Sequence, residues 1–195
     1  MDFRSNEDYY YRDRIGYARG VSYNQVIDVL FIEGSGDVTE PLTDAQYCDF
    51  AKIDSAMAAA DADMVHIIAV GARDLCEKYT NISFVPRTIR AVVNNGNGGV
   101  YLPYGPVADV TEVQGFNSQI LTTDQYKIDG VQWKQLMYPC EDRVTVTYTA
   151  GYDTLPAGIK LGLLQAFFYL WDNRSVAVDN IGEVAMKTLN KYRRV

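Results

Sequence analysis

The pattern of hydrophobic and polar positions predicts helices on both sides of a central β-rich region. Residues 54–79 follow a helical period of about 100° per residue. The apolar positions that share one face of this helix are Met64, Ile68, Gly71, Ala72, Leu75 and Tyr79. His66, Arg73 and Glu77 fall on the opposite face. The pattern therefore predicts a half-buried helix that exposes these three polar side chains.

From about residue 82 to 150 the pattern changes to short β-branched or alternating runs, with Gly, Asn and Pro between them. These runs, which include RAVVN, VYLPY and RVTVTYTAG, predict a small antiparallel β unit with NNGNGG as a loop or hairpin tip. Nearer the N-terminus, YNQVIDVLFIEG predicts an additional strand. EPLTDAQYCDFAKID then predicts a helix with Thr43 as its N-cap and Gln46 three residues later.

The last long helix is predicted to be apolar around most of its circumference. Pro156 suits its first turn, and Asp153 and Thr154 are candidate caps. One apolar stripe consists of Ile159, Leu163, Ala166, Phe167 and Leu170. A second stripe, about 135° away, consists of Leu161, Leu164, Phe168 and Trp171. Because one buried stripe normally suffices for a monomer, the second predicts either a contact with another subunit or cover by the β unit.

Together these patterns predict an α+β fold, a small bundle of three to four helices with an inserted antiparallel β unit. We expect one domain with four parts. Residues 1–36 form an N-terminal arm and the extra strand, and residues 37–81 form a helical part. Residues 82–150 form the β insertion, and residues 151–195 form the long apolar helix with a C-terminal tail.

Composition and charge narrow the classes of function. A chain of 195 residues with 48% hydrophobic content can bury a core. Its N-terminus lacks the apolar segment of a signal peptide, and no run reaches the ~18–20 apolar residues of a membrane span, so we expect a cytosol-like compartment and no membrane partner. Residues 21–186 hold 10 Lys and Arg against 21 Asp and Glu, which argues against tight binding of nucleic acid. The two ends, residues 1–20 and 187–195, together hold 8 Lys and Arg against 4 Asp and Glu, as expected of segments that reach a partner.

No enzymatic or metal-binding constellation is predicted. The three cysteines are widely spaced without a CxxC motif and are expected to be reduced thiols. Asp61 and Asp63 lie about 200° apart on a helix, which is typical of solvated charges rather than of a metal site. His66, the only histidine, has no obvious acid and nucleophile beside it. We therefore expect no catalytic residue, no metal and no cofactor.

Seven short pieces occur in the order in which similar pieces occur in one known family. EPLTDAQYCDFAKID resembles its first helix, DADMVHIIAVGARDLCEKYTNISF its second, and VYLPYGPVADVTEV a strand pair. YKIDG and VTVTYTAGYDTLPAGIK resemble the sheet edge and the following turn, LWDNR the end of the third helix, and TLNKYRR the terminal motif. From about residue 40 to 194 the chain thus resembles the head–tail connector proteins of tailed double-stranded DNA bacteriophages, also described as adaptor, head-completion or DNA-packaging connectors. Residues 1–36 and the long NNGNGG insertion lie outside that pattern.

The resemblance implies a structural virion protein that forms a ring, commonly of twelve subunits, beneath the portal. Such a ring extends the DNA channel and provides a docking platform for the next neck or tail component. The implied partners are other copies of the chain, the portal protein, a downstream neck or tail protein, and genomic DNA that passes without sequence-specific binding. The implied location is the head–tail junction of the virion, after assembly in the bacterial host cytoplasm.

Two surfaces are predicted within this interpretation. The predicted subunit interface consists of Leu161, Leu164, Phe168 and Trp171. The predicted docking tail, expected to fold on binding the portal or a neighbouring subunit, includes Met186, Leu189, Tyr192, Arg193 and Arg194. The alternatives are a head-closing stopper or tail-completion protein of the neck, and a virion-associated enzyme or carbohydrate-binding module built on the β unit. A DNA-binding regulator is disfavoured, since no basic recognition helix is present.

Overall fold

A computed structural model of the chain describes residues 24–32, 39–95, 99–115, 117–138, 143–175 and 180–194. The expectations for the N-terminal arm and for the centre of the NNGNGG segment fall outside these residues. Within them lie five helices: α1 (Asp44–Ala51), α2 (Ser55–Ala60), α3 (Ala62–Thr80), α4 (Ala157–Asp172) and α5 (Glu183–Leu189). A short 3-10 turn, Asn190–Tyr192, follows α5. The bundle thus has one helix more than predicted, because the segment 54–79 is interrupted and forms both α2 and α3.

Local capping explains where these helices begin. The N–H of Gln46 donates to Thr43 Oγ1 over 3.3 Å, and the N–H of Thr43 donates to Gln46 Oε1 over 2.9 Å, so the predicted cap of α1 is confirmed. Asp61 ends α2 and precedes α3, which divides the predicted helix into two. α4 begins directly after Pro156 without any side-chain cap bond, so the predicted caps Asp153 and Thr154 are not used.

Seven strands in the described residues form two antiparallel sheets. The larger sheet has the order β1-β2-β7-β4, with bounds β1 (Asn24–Ile32), β2 (Arg87–Asn95), β7 (Arg143–Ala150) and β4 (Val107–Gln114). The smaller has the order β3-β6-β5, with bounds β3 (Val100–Tyr101), β6 (Gln135–Met137) and β5 (Lys127–Asp129). The predicted additional strand is confirmed as β1, which pairs with β2 from Thr88 to Asn95.

Two hydrophobic cores result, and the predicted α+β class is confirmed. The helical core contains residues of α1, α3, α4 and α5, and at its centre the rings of Tyr47 and Phe167 lie 4.7 Å apart between centroids. The second core contains residues of both sheets. β7 shows how the sheet is built, since Val144, Val146 and Tyr148 alternate inward along the strand and are all buried.

The orientation of α3 differs from the prediction. Arg73 and Glu77 are 5% and 3% exposed, whereas Met64 is 47% exposed. The buried arc is therefore rotated by about 100°, one residue position, from the face that the apolar pattern indicated. The physical reason is that α3 packs on α4 with one side and meets Phe84 and Arg87, at the start of the β unit, with another. His66 is exposed, as predicted.

Candidate assembly surfaces

The first apolar stripe of α4 lies in the helical core, as predicted. Its four positions Ile159, Leu163, Ala166 and Phe167 are fully buried, and Leu170 is 9% exposed. α4 packs on α1, α3 and α5. This stripe therefore accounts for the inward face of the helix.

The second stripe, proposed as a subunit interface, is mostly outside that core. Leu161 is 43% exposed and Phe168 is 47% exposed, while Leu164 is half-buried. In the described part of the chain the sheets do not cover these side chains. The alternative prediction, in which the β unit covers the second stripe, is therefore not what the structure shows. We call Leu161, Leu164 and Phe168 the α4 outer stripe.

Trp171, the fourth predicted interface residue, lies inside the subunit. It is 7% exposed, and its ring stacks on Phe167 with centroids 6.1 Å apart. The guanidinium of Arg174 lies over the same indole, 4.5 Å from the ring centroid. Trp171 therefore supports the end of α4 from within and offers little area to a neighbour.

The C-terminal segment is folded on its own subunit. Leu189 is fully buried against α4, where Gly162 leaves the space that its side chain fills. Thr188 Oγ1 donates to Gln165 Oε1 over 2.7 Å, which fixes the register of α5 on α4. Met186 packs at the edge of the same core, and its carbonyl accepts a weak 3.5 Å bond from the hydroxyl of Tyr79.

The two terminal arginines also have partners in the same subunit. Arg193 lies over the ring of Tyr79 at 5.2 Å, and Arg194 lies over the ring of Trp133 at 4.0 Å. The backbone N–H of Arg194 donates to the carbonyl of Thr80 over 2.8 Å. The expectation that this segment folds only on binding is thus wrong for its described part, because aromatic and backbone groups of its own subunit already hold it. Its docking to another protein stays a prediction.

A buried ion network joins α3 to the start of β2. Arg73 Nε donates to Glu40 Oε1 over 2.9 Å, and Arg73 Nη1 donates to Glu77 Oε2 over 3.0 Å. Arg87 Nη2 donates to the same Glu77 oxygen over 2.6 Å, and the N–H of Phe84 donates to its other oxygen. The four charged side chains therefore connect the helical part to the β unit.

Burial and neighbouring charges shift the pKa values of the groups at this junction in opposite directions. Burial raises the pKa of Glu77 above the ordinary carboxyl value, while Arg87, the N–H of Phe84 and Arg73 act to lower it. Burial alone would lower the pKa of Arg73, but Glu77 and Glu40 raise it above its ordinary value. Since the carboxylate of Glu77 accepts bonds from groups of the same subunit, we assign the network a role in holding the two parts together.

A cleft of about 1210 Å³ lies beside this network, between α3, the start of β2 and the residues that lead into α4. Its lining carries four acidic and four basic side chains: Glu40, Asp74, Glu77, Asp153, Arg73, Lys78, Arg87 and Lys160. The charges balance, so the cleft has no net charge that would favour an anionic or cationic ligand.

Reactive groups are few in the described residues. Within them, no cluster of three His, Cys, Asp or Glu side chains is placed to hold a metal ion. His66 Nδ1 lies 3.4 Å from Asp44 Oδ1 in an exposed position. Cys48 and Cys76 are buried free thiols, and burial raises the pKa of Cys76. The same residues contain no helix that is both long and apolar enough to cross a membrane.

Sequence reasoning missed one exposed apolar surface. On α3, Ile67 is 63% exposed and lies next to Met64, and neither was predicted to face solvent. Gly71 follows on the same face, one turn further along. The signal that could have revealed this surface is that glycine, since glycine within a helix interior disfavours the helix unless another feature requires it.

The fold described above recurs in solved particle necks. A chain from the neck of an empty gene transfer agent (GTA) particle, computed with C6 symmetry, matches with a TM-score of 0.67. A chain from the virion of a native GTA particle matches at 0.66, and one from the native neck, computed with C12 symmetry, at 0.64. Each match has 16% sequence identity and covers 87% of this chain and 96% of the other. No family model and no curated protein matches the chain. The chain therefore has the fold of chains found in the neck and virion of a gene transfer agent.

Proposed function

We propose that this protein is a structural component of the neck of a tailed phage virion, where it forms a ring beneath the portal. In this role it extends the DNA channel and provides a platform for the next neck or tail component, without catalysis. The observation that carries the proposal is the shared fold, because the alignment takes in 96% of a chain that belongs to the GTA neck.

Twelve is the subunit number that we propose for the ring. The C12 symmetry used for the native GTA neck supports this number, and the C6 symmetry used for the empty one is contained within it. A ring of identical subunits needs two different patches on each subunit, one for each neighbour. The α4 outer stripe is the first of these, with Leu161 and Phe168 as its exposed side chains.

The distribution of charge fits a channel protein. The chain has a formal net charge of −7, and residues 21–186 hold about twice as many acidic as basic side chains. Tight binding of DNA needs clustered Lys and Arg that displace counterions from the phosphates. An acidic ring lets DNA pass without holding it.

The basic C-terminal segment is the surface that we propose for docking on the portal or on an adjacent subunit. It presents Lys187 and Lys191 in addition to Arg193 and Arg194. These groups sit on a segment that is already folded, so docking does not require the whole segment to order at that moment.

Negative-stain electron microscopy of the purified protein, alone and mixed with the portal from the same source, tests the proposal. We expect rings that stack on the portal, and the images count the subunits directly. Rings that ignore the portal but bind a later neck component would favour a head-closing stopper or a tail-completion protein. Monomers that bind neither would contradict a role in the neck.

A further inference from the structure

Two exposed apolar stripes run along different helices of the subunit. On α3 the stripe consists of Met64, 47% exposed, Ile67, 63% exposed, and Gly71, and we call it the α3 outer stripe. On α4 it consists of Leu161, Leu164 and Phe168. Each stripe occupies positions i, i+3 and i+7, so each covers about two helical turns, roughly 10 Å.

The stripes face away from the shared core. Counted at about 100° per residue, the α3 stripe lies roughly 130–170° from the centre of the buried arc of α3, and the α4 stripe lies roughly 110–170° from that of α4. Because the buried faces of both helices meet the same core, the stripes point outward in different directions. The two stripes of one subunit therefore cannot pack on each other, whereas the α4 outer stripe of one copy can pack on the α3 outer stripe of another.

Gly71 differs from the other two glycines of the helices, Gly158 and Gly162, in what surrounds it. A side chain added at Gly162 would meet Leu189, and one added at Gly158 would meet Tyr192, so packing within the subunit explains both glycines. A Cβ atom added at Gly71 would meet no atom of the described residues within 4 Å. The gap at Gly71 thus has no occupant among the described residues, and it lies on the same face as exposed Met64 and Ile67.

The two stripes are complementary in size. The α3 stripe combines flexible Met64 with a gap at Gly71, and the α4 stripe carries the bulky ring of Phe168. Exposed aspartates flank the α3 stripe at both ends, Asp63 before it and Asp74 after it. Lys160 flanks one end of the α4 stripe and exposed Asp172 flanks the other, so charge favours neither direction of the helices and the match depends on size.

We propose that the α4 outer stripe of one subunit packs on the α3 outer stripe of the next, with Gly71 permitting the close approach of the helices. This inference rests on the proposed ring and names the two surfaces that close it. The contact is heterologous, since different patches meet, and its repetition generates a closed ring, rather than a two-fold dimer, when the rotation between neighbours divides a full turn. Neither stripe carries a charge, and in the assembled ring neither faces water.

Cross-linking of assembled rings tests the pairing directly. In a Cys140→Ser background we expect the double variant Ile67→Cys/Phe168→Cys to give a ladder of covalent multimers with a short flexible bismaleimide. Each single variant, Ile67→Cys or Phe168→Cys, is expected to stay monomeric on a denaturing gel. Rings in the microscope without a ladder would overturn the pairing but leave the neck function intact. Dimers from Phe168→Cys alone would show that two α4 stripes meet, which also overturns it.

A substitution at the gap gives an independent test. We expect Gly71→Phe to keep the circular dichroism of the native subunit and to lose ring formation, because the added ring fills the space that the neighbour needs. Val131→Phe, at an 88% exposed position of the β unit, is the matched control and is expected to assemble normally. Rings of normal yield from Gly71→Phe would overturn the proposal. Failure of the unsubstituted protein to form rings would count against the proposed function instead.

Discussion

The C-terminal half of α3 buries the charged side chains Arg73 and Glu77, whereas its N-terminal half exposes the apolar side chains Met64 and Ile67. Each arrangement is unfavourable on its own, since a buried charge loses hydration and an exposed apolar side chain gains no burial. The buried charges are compensated within the subunit by Glu40 and other groups. In the described residues no comparable cover exists for the apolar side chains. The difference indicates that α3 is stabilised by its own chain at one end and, in our proposal, by a neighbour at the other.

The largest expected effect comes from removing the centre of the buried network. We expect Glu77→Ala to lower the free energy of unfolding by about 3–5 kcal/mol, because Arg73 and Arg87 are left without a shared carboxylate. Asp74→Ala is the matched control, since Asp74 also pairs with Arg73, over 2.9 Å, but is 60% exposed. For that variant we expect about 0–1 kcal/mol. Urea unfolding followed by circular dichroism measures both, and equal losses would contradict the role given to burial.

A second substitution tests whether the C-terminal segment belongs to the folded subunit. We expect Leu189→Ala to lower the free energy of unfolding by about 2–5 kcal/mol, as for other fully buried leucines. Amide hydrogen exchange in α5 should become faster in the same variant. Unchanged stability and exchange would mean that the segment is not docked in the free subunit, and would restore the expectation that it folds only on binding.

A substitution at Gly71 is expected to change the free energy of unfolding by a smaller amount and in the opposite direction. Gly71→Ala should raise the free energy of unfolding by about 0.5–1 kcal/mol, because alanine favours the helix and its methyl group meets none of the described residues. Gly162→Ala is expected to be destabilising, since its methyl group collides with Leu189. Thermal unfolding of the pair compares them directly. A loss of stability in Gly71→Ala would show that the gap is filled within the subunit.

The smallest effect on folding is expected at the outer stripe of α4. Phe168→Asp should change the free energy of unfolding by no more than about 0.5 kcal/mol, because the side chain is already 47% exposed. The same variant should sediment as a monomer under conditions in which the unsubstituted protein forms rings. Val131→Asp provides the control, with an exposed apolar side chain outside either stripe. Ring formation by the Phe168→Asp variant would show that the α4 outer stripe is not part of the subunit interface.

Features set by neighbouring residues were predictable from the sequence. The cap at Thr43 depends on a side chain three residues away, and the inward stripe of α4 depends on helical spacing alone. The alternation in β7 and the additional strand β1 are equally local signals. These features were predicted correctly because the interactions that determine them are close in sequence.

Features that depend on distant partners were not predictable in this way. The period of α3 suggested that Arg73 and Glu77 face solvent, because nothing in the helix reveals the carboxylate 33 residues before Arg73 or the guanidinium of Arg87, 10 residues beyond Glu77. The C-terminal segment gave the same difficulty, since Arg194 stacks on Trp133, far away in sequence. The charges of Arg73 and Glu77 indicated exposure to solvent, whereas ion pairing allowed both side chains to be buried.

The order of the larger sheet places β1 and β4 at its rims. A regular, unpaired rim presents a row of backbone donors and acceptors on which another chain can add as a strand. β1 pairs with the backbone donors and acceptors of β2. The register of this pairing shifts between Val26 and Asp28. β4 shifts register twice along β7. Irregular rims are poor templates for strand exchange, so subunits held at high local concentration in the proposed ring resist fusing their sheets into an aggregate.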